Sequence, residues 1–293
     1  MRLFRPINLA IIAILQSIVQ YNVIQGHMPA SVVLFEHWQF VLIVAITILA
    51  GAGGYVVNDI YDIDIDAYNK PGKNMVEQIS KRTGWAVYAM LVCFGAILTI
   101  QLGDPYRVPG IAIYTGATII LWAYSFYFKR QPFIGNVIVS FFSALVIYIV
   151  WLGQSVNIPP GTDIQFPHHI ILMYTGFAFF TTLLREIVKD LEDLSGDERY
   201  GARTLPAVIG IKTSRRVCIA TALLLLTGIS YWLFQMTGQI SSLAFWYMVA
   251  AIIVPITAAI WLIQKAGDQS AWHNISQYLK AVILLGTLFL IFI

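Results

Sequence analysis

A chain of 293 residues with 58% hydrophobic and only 11% charged side chains departs from the roughly 25% charge of a soluble domain. With a mean hydropathy of +0.74, it reads as a polytopic membrane protein. The net charge of +3 is too small to argue for nucleic acid as a partner, and Cys93 and Cys218 lie in apolar runs without ligand-spaced neighbours, so buried thiols are expected rather than a disulfide or metal site.

A hydrocarbon core of about 30 Å takes about 20 apolar residues per helix. The first such run, 7–24, follows Arg2, Arg5 and Pro6 and has no small-residue cleavage site, so a retained first helix is expected. The second, 38–57, runs into Asn58-Asp59-Ile60-Tyr61-Asp62-Ile63-Asp64-Ile65-Asp66. Runs at 85–102 and 109–127 follow, the latter ending at Lys129-Arg130, and further runs occupy 133–153 and 168–184. The sixth opens into a second acidic window, Glu186 to Glu198, where Gly196 is expected to end or bend the helix. Runs at 216–236, 243–264 and 275–293 complete nine transmembrane helices in a single domain, 1–293.

Lys and Arg gather in cytoplasmic loops, which gives the helix count an independent check. All 18 except Arg107 and Lys280 precede helix one or follow an even-numbered helix. The expected fold is therefore an all-α membrane bundle with a cytoplasmic polar cap, in the plasma (inner) membrane, with both acidic windows inside and the chain end outside. The two acidic windows each follow the second helix of a set of four, which suggests a pseudo-repeat.

Ten of the 15 acidic residues fall in these two windows. A carboxylate at mid-bilayer costs roughly 2.5–3.5 kcal/mol on insertion scales, so such acids need a cation or water beside them. Asn58, Asp62 and Asp66 are spaced by four and share one helical face, with Asp59 one step round. Glu186, Asp190, Asp193 and Asp197 share another, while Glu192 and Glu198 point elsewhere and are expected to be solvated. Stacked carboxylates repel unless a cation bridges them, and hard oxygen ligands suit Mg²⁺. Taken singly, each window is also what a solvated acidic cap looks like, the second neutralised by Arg185 and Lys189.

Clusters facing each other would hold two or three Mg²⁺ ions and through them a diphosphate, whose departure the metal assists. Lys129, Arg130, Arg185 and Lys189 could take outer phosphate oxygens, although each alone also fits an interfacial anchor. Tyr124, Phe126, Tyr127 and Phe128, with Phe177, Phe179 and Phe180, could face an allylic cation, or could belong to an ordinary interfacial belt.

These residues resemble a known family. Asn58-Asp59-x-x-Asp62-x-x-x-Asp66 is similar to the NDxxDxxxD motif of the UbiA superfamily of intramembrane prenyltransferases, Asp193-x-x-x-Asp197 to its second motif, and Arg5-Pro6-Ile7-Asn8 to its early Arg-Pro-x-Asn. The resemblance covers essentially the whole chain and implies nine helices. It also implies that Asn58, Asp62 and Asp66 with Asp190, Asp193 and Asp197 bind Mg²⁺-diphosphate and that Lys129 contacts phosphate. Together with the charge and spacing of the residues themselves, the expected catalytic set is Asp62, Asp66, Asp193 and Asp197, the expected metal ligands are these with Asn58, Asp59 and Asp190, and the expected substrate-binding residues are Asn8, Asn58, Lys129, Arg130, Arg185, Lys189, Arg203, Lys73 and Tyr124. The run from Arg185 through Asp197 to Gly201-Ala202-Arg203-Thr204-Leu205-Pro206 looks most like the branch that alkylates geranylgeranylglyceryl phosphate. The chain departs from the pattern after the first motif. Where the family commonly has Asn-x-Pro-x-Arg-Pro-Ile-x-x-Gly, Asn69 to Gln78 has Lys73 for the arginine and loses the second proline and the glycine.

The expected activity is thus Mg²⁺-dependent prenyl transfer from an isoprenyl diphosphate to a lipophilic acceptor. That acceptor is either a prenylglyceryl phosphate, met by Arg199, Arg203 and Lys73, or an aromatic acid such as 4-hydroxybenzoate. A cation transporter would use the same carboxylates as an ion path, but both clusters lie at one face and mid-membrane depth holds almost no ionisable residue. A non-catalytic scaffold would leave two costly clusters without a role.

Overall fold

The computed structural model describes residues 3–29, 35–69, 72, 74–156 and 158–293 and is helical throughout these segments, without strands. A backbone in lipid must satisfy its own N–H and C=O groups, so each long apolar run becomes a helix. In chain order these are α1 (Pro6–His27), α2 (His37–Tyr61), α3 (Ile63–Asn69), α4 (Met75–Ile79), α5 (Lys81–Ile100), α6 (Arg107–Phe126), α7 (Ile134–Ser155), α8 (Gln165–Arg199), α9 (Leu205–Gln235), α10 (Ser242–Lys265) and α11 (Gln269–Phe289).

Among the described residues, eight helices are long and apolar enough to cross a membrane: all but α3, α4 and α11. The expected ninth run exists as α11, whose 21 residues are long enough. Its stretch up to Lys280, however, carries His273, Asn274, Gln277 and Lys280, and its apolar residues Trp272, Ile275, Leu279 and Val282 form a one-sided stripe turned inward.

Two further expectations are corrected. Gly196 neither ends nor bends α8, which continues for 35 residues to Arg199. The hydropathy signal stops at Arg185, but Leu184, Ile187, Val188 and Leu191 keep one face buried and carry the helix past the bilayer run. Cys93 is exposed, whereas Cys218 is buried as expected.

The chain forms two compact units. The first comprises Met1–Ser17, Pro29–Lys129 and Ile149–Thr162. Here α2 packs on α5 and α6, and α5 on α6. At the polar end of this unit Val56, Ile60 and Val76 form a buried cluster with Leu3, Phe4, Ile63 and Trp85 packed around it. A side chain at Gly84 would put its Cβ 3.0 Å from Val76 and 3.1 Å from Ile60, so the glycine allows α5 to start hard against α4. Ser80 ends α4 and caps α5, its hydroxyl accepting from Thr83 N–H. The short helix after the acidic motif is thereby clamped beneath it.

The second unit comprises Ile18–Met28, Arg130–Tyr148 and Asp163–Ile293. Its centre is α8, packed against α9 and α11, with α10 against both of those. Tyr174 donates to Thr287 at 3.0 Å across α8 and α11. Near its start α9 breaks at Gly210, whose φ of 77° only glycine adopts without strain. A π-helical turn, Val249–Ile253, precedes Pro255 in α10, whose ring cannot fit a regular ladder.

Candidate active site

In the first unit, α2 brings Asn58 and Asp59 to its polar end and stops at Tyr61. Asp62 leaves helical geometry at φ −97° and ψ 3°. The four-residue spacing survives the break, because Asp62 N–H donates to Asn58 O at 3.0 Å and Asp66 N–H to Asp62 O at 2.8 Å. The Asn58 amide donates to Asp62 Oδ2 at 2.7 Å. Lys129, on the 3₁₀ turn Phe128–Arg130 after α6, places its ammonium on the same Asp62 oxygen and 3.3 Å from Asn58 Oδ1. Three residues from the sequence expectation, Asn58, Asp62 and Lys129, are therefore in direct contact.

Desolvation alone would lower the Lys129 pKa, but Asp62, with Asp66 further off, more than offsets it and the pKa is raised. Lys129 is therefore a permanent cation at physiological pH. Asp59 has a different partner: its buried carboxylate accepts from Arg5 Nη2 at 3.1 Å. The Arg5 guanidinium also lies 4.7 Å from the centre of the Tyr55 ring, and Asn8 donates to Tyr55 Oη at 3.3 Å. The Arg5-Pro6-Ile7-Asn8 segment is thus fastened to α2 alongside the motif. Asp66 is met by Asn74, which donates to its Oδ2 at 3.2 Å.

In the second unit the acids ride on the extension of α8. Asp190 accepts from Asn136 Nδ2 at 2.9 Å, the amide coming from the first turn of α7. Asp197 is buried, and its carbonyl accepts from Ala202 N–H at 2.9 Å as the chain turns through Gly201 at φ 69°. The following residue, Arg203, is exposed, and its N–H donates to Arg130 O at 3.0 Å. Asp193 and Lys189 are half-buried on the same helix. Arg185 is spent on its neighbour Glu186 at 2.8 Å. Glu192, expected to be solvated, instead pairs with His273 Nδ1 at 2.7 Å, while Gln269 donates to its carbonyl.

Tyr124 is half-buried on α6. Among the other rings singled out, Phe126 stacks on Trp122 and is exposed with Tyr127, whereas Phe177 is buried against Tyr174. Lys73 lies outside the described residues.

Among the described residues no three His, Cys, Asp or Glu side chains converge as a ready metal cluster. Arg5, Lys129, Asn74 and Asn136 hold carboxylates of the two windows individually. The donors nevertheless fit Mg²⁺. They are carboxylate and amide oxygens throughout, and the Lys129 ammonium between Asn58 Oδ1 and Asp62 Oδ2 shows that this pair accepts a cation. Sequence reasoning missed Asn74 and Asn136. The first had a readable signal, since Asn74-x-x-Glu77 has the spacing of a helix-capping box. The second is a lone amide opening an apolar run.

The sequence pattern of the UbiA prenyltransferase family matches residues 24–284. A digeranylgeranylglyceryl phosphate synthase of Methanospirillum hungatei is 33% identical over 221 residues, covering 75% of this chain and 71% of that protein. Among solved structures, one described as a digeranylgeranylglyceryl phosphate synthase in membranes is similar at a TM-score of 0.74 and 20% identity, covering 99% of this chain and 96% of that one. A UbiA homologue from Archaeoglobus fulgidus, bound to GPP and Mg²⁺, is similar at a TM-score of 0.63 and 15% identity, covering 99% and 98%.

Proposed function

The chain belongs to the UbiA prenyltransferase family, and from that premise we propose that it transfers a prenyl group from an isoprenyl diphosphate to the hydroxyl of a prenylglyceryl phosphate. The observation that carries this reading is the Asn58, Asp62 and Lys129 contact, a carboxylate and a permanent cation at the end of a membrane helix. Relatives such as the Methanospirillum hungatei synthase carry in their name digeranylgeranylglyceryl phosphate, the product that prenyl transfer to geranylgeranylglyceryl phosphate would give.

In the proposed reaction the bond between C1 and oxygen of the prenyl diphosphate breaks, the electron pair leaving with the diphosphate. The acceptor hydroxyl oxygen bonds to C1, and its proton passes to the departing diphosphate. Mg²⁺, as in the Archaeoglobus fulgidus homologue, would neutralise the leaving diphosphate and assist its departure. Asn58, Asp62 and Asp66, with Asp59 paired to Arg5, would hold metal in the first unit, and Asp190, Asp193 and Asp197 are the candidate metal oxygens of the second. Lys129 would take an outer phosphate oxygen as a point charge; Asn8 and Tyr124 are further candidates in its unit, and Arg130, Lys189 and, if exchanged from Glu186, Arg185 are those of the second. The bilayer keeps water from the allylic centre.

The acceptor's phosphate would require cations of its own, for which the exposed Arg203 and Arg199 are the candidates in the second unit and Lys73 a candidate from the sequence. Arg203→Ala is expected to raise the acceptor KM about tenfold, the cost of one charge-assisted hydrogen bond, and to leave the prenyl diphosphate KM nearly unchanged. Purified protein given Mg²⁺, geranylgeranyl diphosphate and the two acceptors in parallel should alkylate geranylgeranylglyceryl phosphate. Product from 4-hydroxybenzoate alone would overturn the acceptor and leave the metal chemistry standing.

With α11 as a ninth span, the charge distribution puts both acidic windows in the cytoplasm. A reporter inserted after Gly72 should be inside and one fused after Ile293 outside. The reverse at both positions would invert the protein and move the diphosphate site to the other side.

A further inference from the structure

We infer that Asn74 is a positioning residue for the first acidic motif, holding Asp66 in the orientation that the motif's metal needs; the inference rests on the function proposed above. Asn74 is 2% exposed and uses its whole amide. Its Oδ1 accepts from Val76 N–H at 3.0 Å and Glu77 N–H at 3.4 Å, capping α4. Its Nδ2 donates to Asp59 O at 2.8 Å and to Asp66 Oδ2 at 3.2 Å. One side chain thus joins the clamped helix α4, the last turn of α2 and the carboxylate at the far end of the motif.

The chain breaks helical geometry at Asp62, so the backbone of α2 does not by itself orient Asp66, which sits on the separate short helix α3. The contact restores that orientation from outside the motif. One oxygen of Asp66 is held by the amide, which limits the rotation of the carboxylate and so fixes the direction in which it can meet a cation. Groups that orient a metal's ligands typically change its affinity by about 10–100-fold when lost. Asn74 stands where the resembling pattern has its second proline, a residue whose side chain can neither donate nor accept. The clamp is therefore a property of this loop, which has also lost the arginine and the glycine of that pattern.

Asn74→Ser separates the two roles. Serine caps a helix about as well as asparagine, but its hydroxyl is too short to reach both Asp59 O and Asp66. The readout is Mn²⁺ bound by purified protein in the presence of inorganic diphosphate, followed by electron paramagnetic resonance without turnover, with thermal unfolding alongside. Asn74→Ser is expected to keep the melting temperature and to weaken Mn²⁺ binding about tenfold. The same substitution in an Asp66→Asn background should have almost no further effect, because the amide acts through that carboxylate. Wild-type Mn²⁺ affinity in folded Asn74→Ser, or full additivity with Asp66→Asn, would reduce Asn74 to a helix cap. Should Asn74→Ser not fold, Asn74→Thr, also a capping residue, carries the same measurement. If the unaltered protein itself binds no Mn²⁺ with diphosphate, the proposed function fails, which is a different outcome from wild-type affinity in the variant.

Discussion

Asp62→Asn is expected to lower prenyl transfer by about 10²–10³-fold, the range seen when one preorganised electrostatic group is removed from a reaction centre. The substitution keeps the shape of the side chain and removes its charge. In the folded protein that charge is the meeting point of the Asn58 amide and the Lys129 ammonium, so its loss removes a proposed metal donor and also frees the cation proposed to meet the diphosphate. The fold should survive, because the apolar cluster of Val56, Ile60 and Val76 beneath the motif is untouched. Turnover at saturating Mg²⁺, measured beside thermal unfolding in the same detergent, checks both statements. Undiminished turnover of Asp62→Asn in the presence of EDTA would remove metal from the mechanism altogether.

Lys129→Ala should reduce kcat/KM for the prenyl diphosphate by about 10²-fold, equivalent to about 2.7 kcal/mol of transition-state stabilisation. The Asp62 side chain is 4% exposed, so deleting Lys129 leaves a desolvated carboxylate with the neutral Asn58 amide in place of a cation. Lys129 itself is one-third exposed, and solvent screening keeps the purely structural part of the loss modest. Most of the effect therefore belongs to the substrate's phosphate and should appear as a raised prenyl diphosphate KM together with a lower kcat. Lys129→Arg keeps the charge but replaces a compact ammonium with a broad planar fork, so partial recovery is expected. A variant whose melting temperature falls while both kinetic constants stay put would show that Lys129 serves only to hold Asp62.

Much of the site is legible in the amino-acid sequence because its markers are local. Asn58, Asp62 and Asp66 announce themselves by their spacing, and the four-residue backbone bonds at 3.0 and 2.8 Å preserve that spacing although the helix breaks at Asp62. Lys129 is legible as a charge following an apolar run. Gly196 misleads, since hydropathy marks where lipid ends and says nothing of where a helix ends; α8 continues on packing alone. The partners of Asp59 and Asp190 are not legible at all.

By itself the sequence determined the all-helical membrane class, the places where helices run, the two acidic windows and the family resemblance. Each of these depends on composition or spacing within one segment, because a helix in lipid satisfies its backbone internally. Only the tertiary structure decided which cation or amide meets which carboxylate: Arg5 with Asp59 across 54 positions, Lys129 with Asp62 across 67, Asn136 with Asp190 across 54, and Asn74 with Asp66 within one loop. A buried carboxylate must find a hydrogen-bond or ionic partner wherever the fold provides one, and which groups come within about 3 Å is set by helix packing, which pattern and spacing along the chain do not encode.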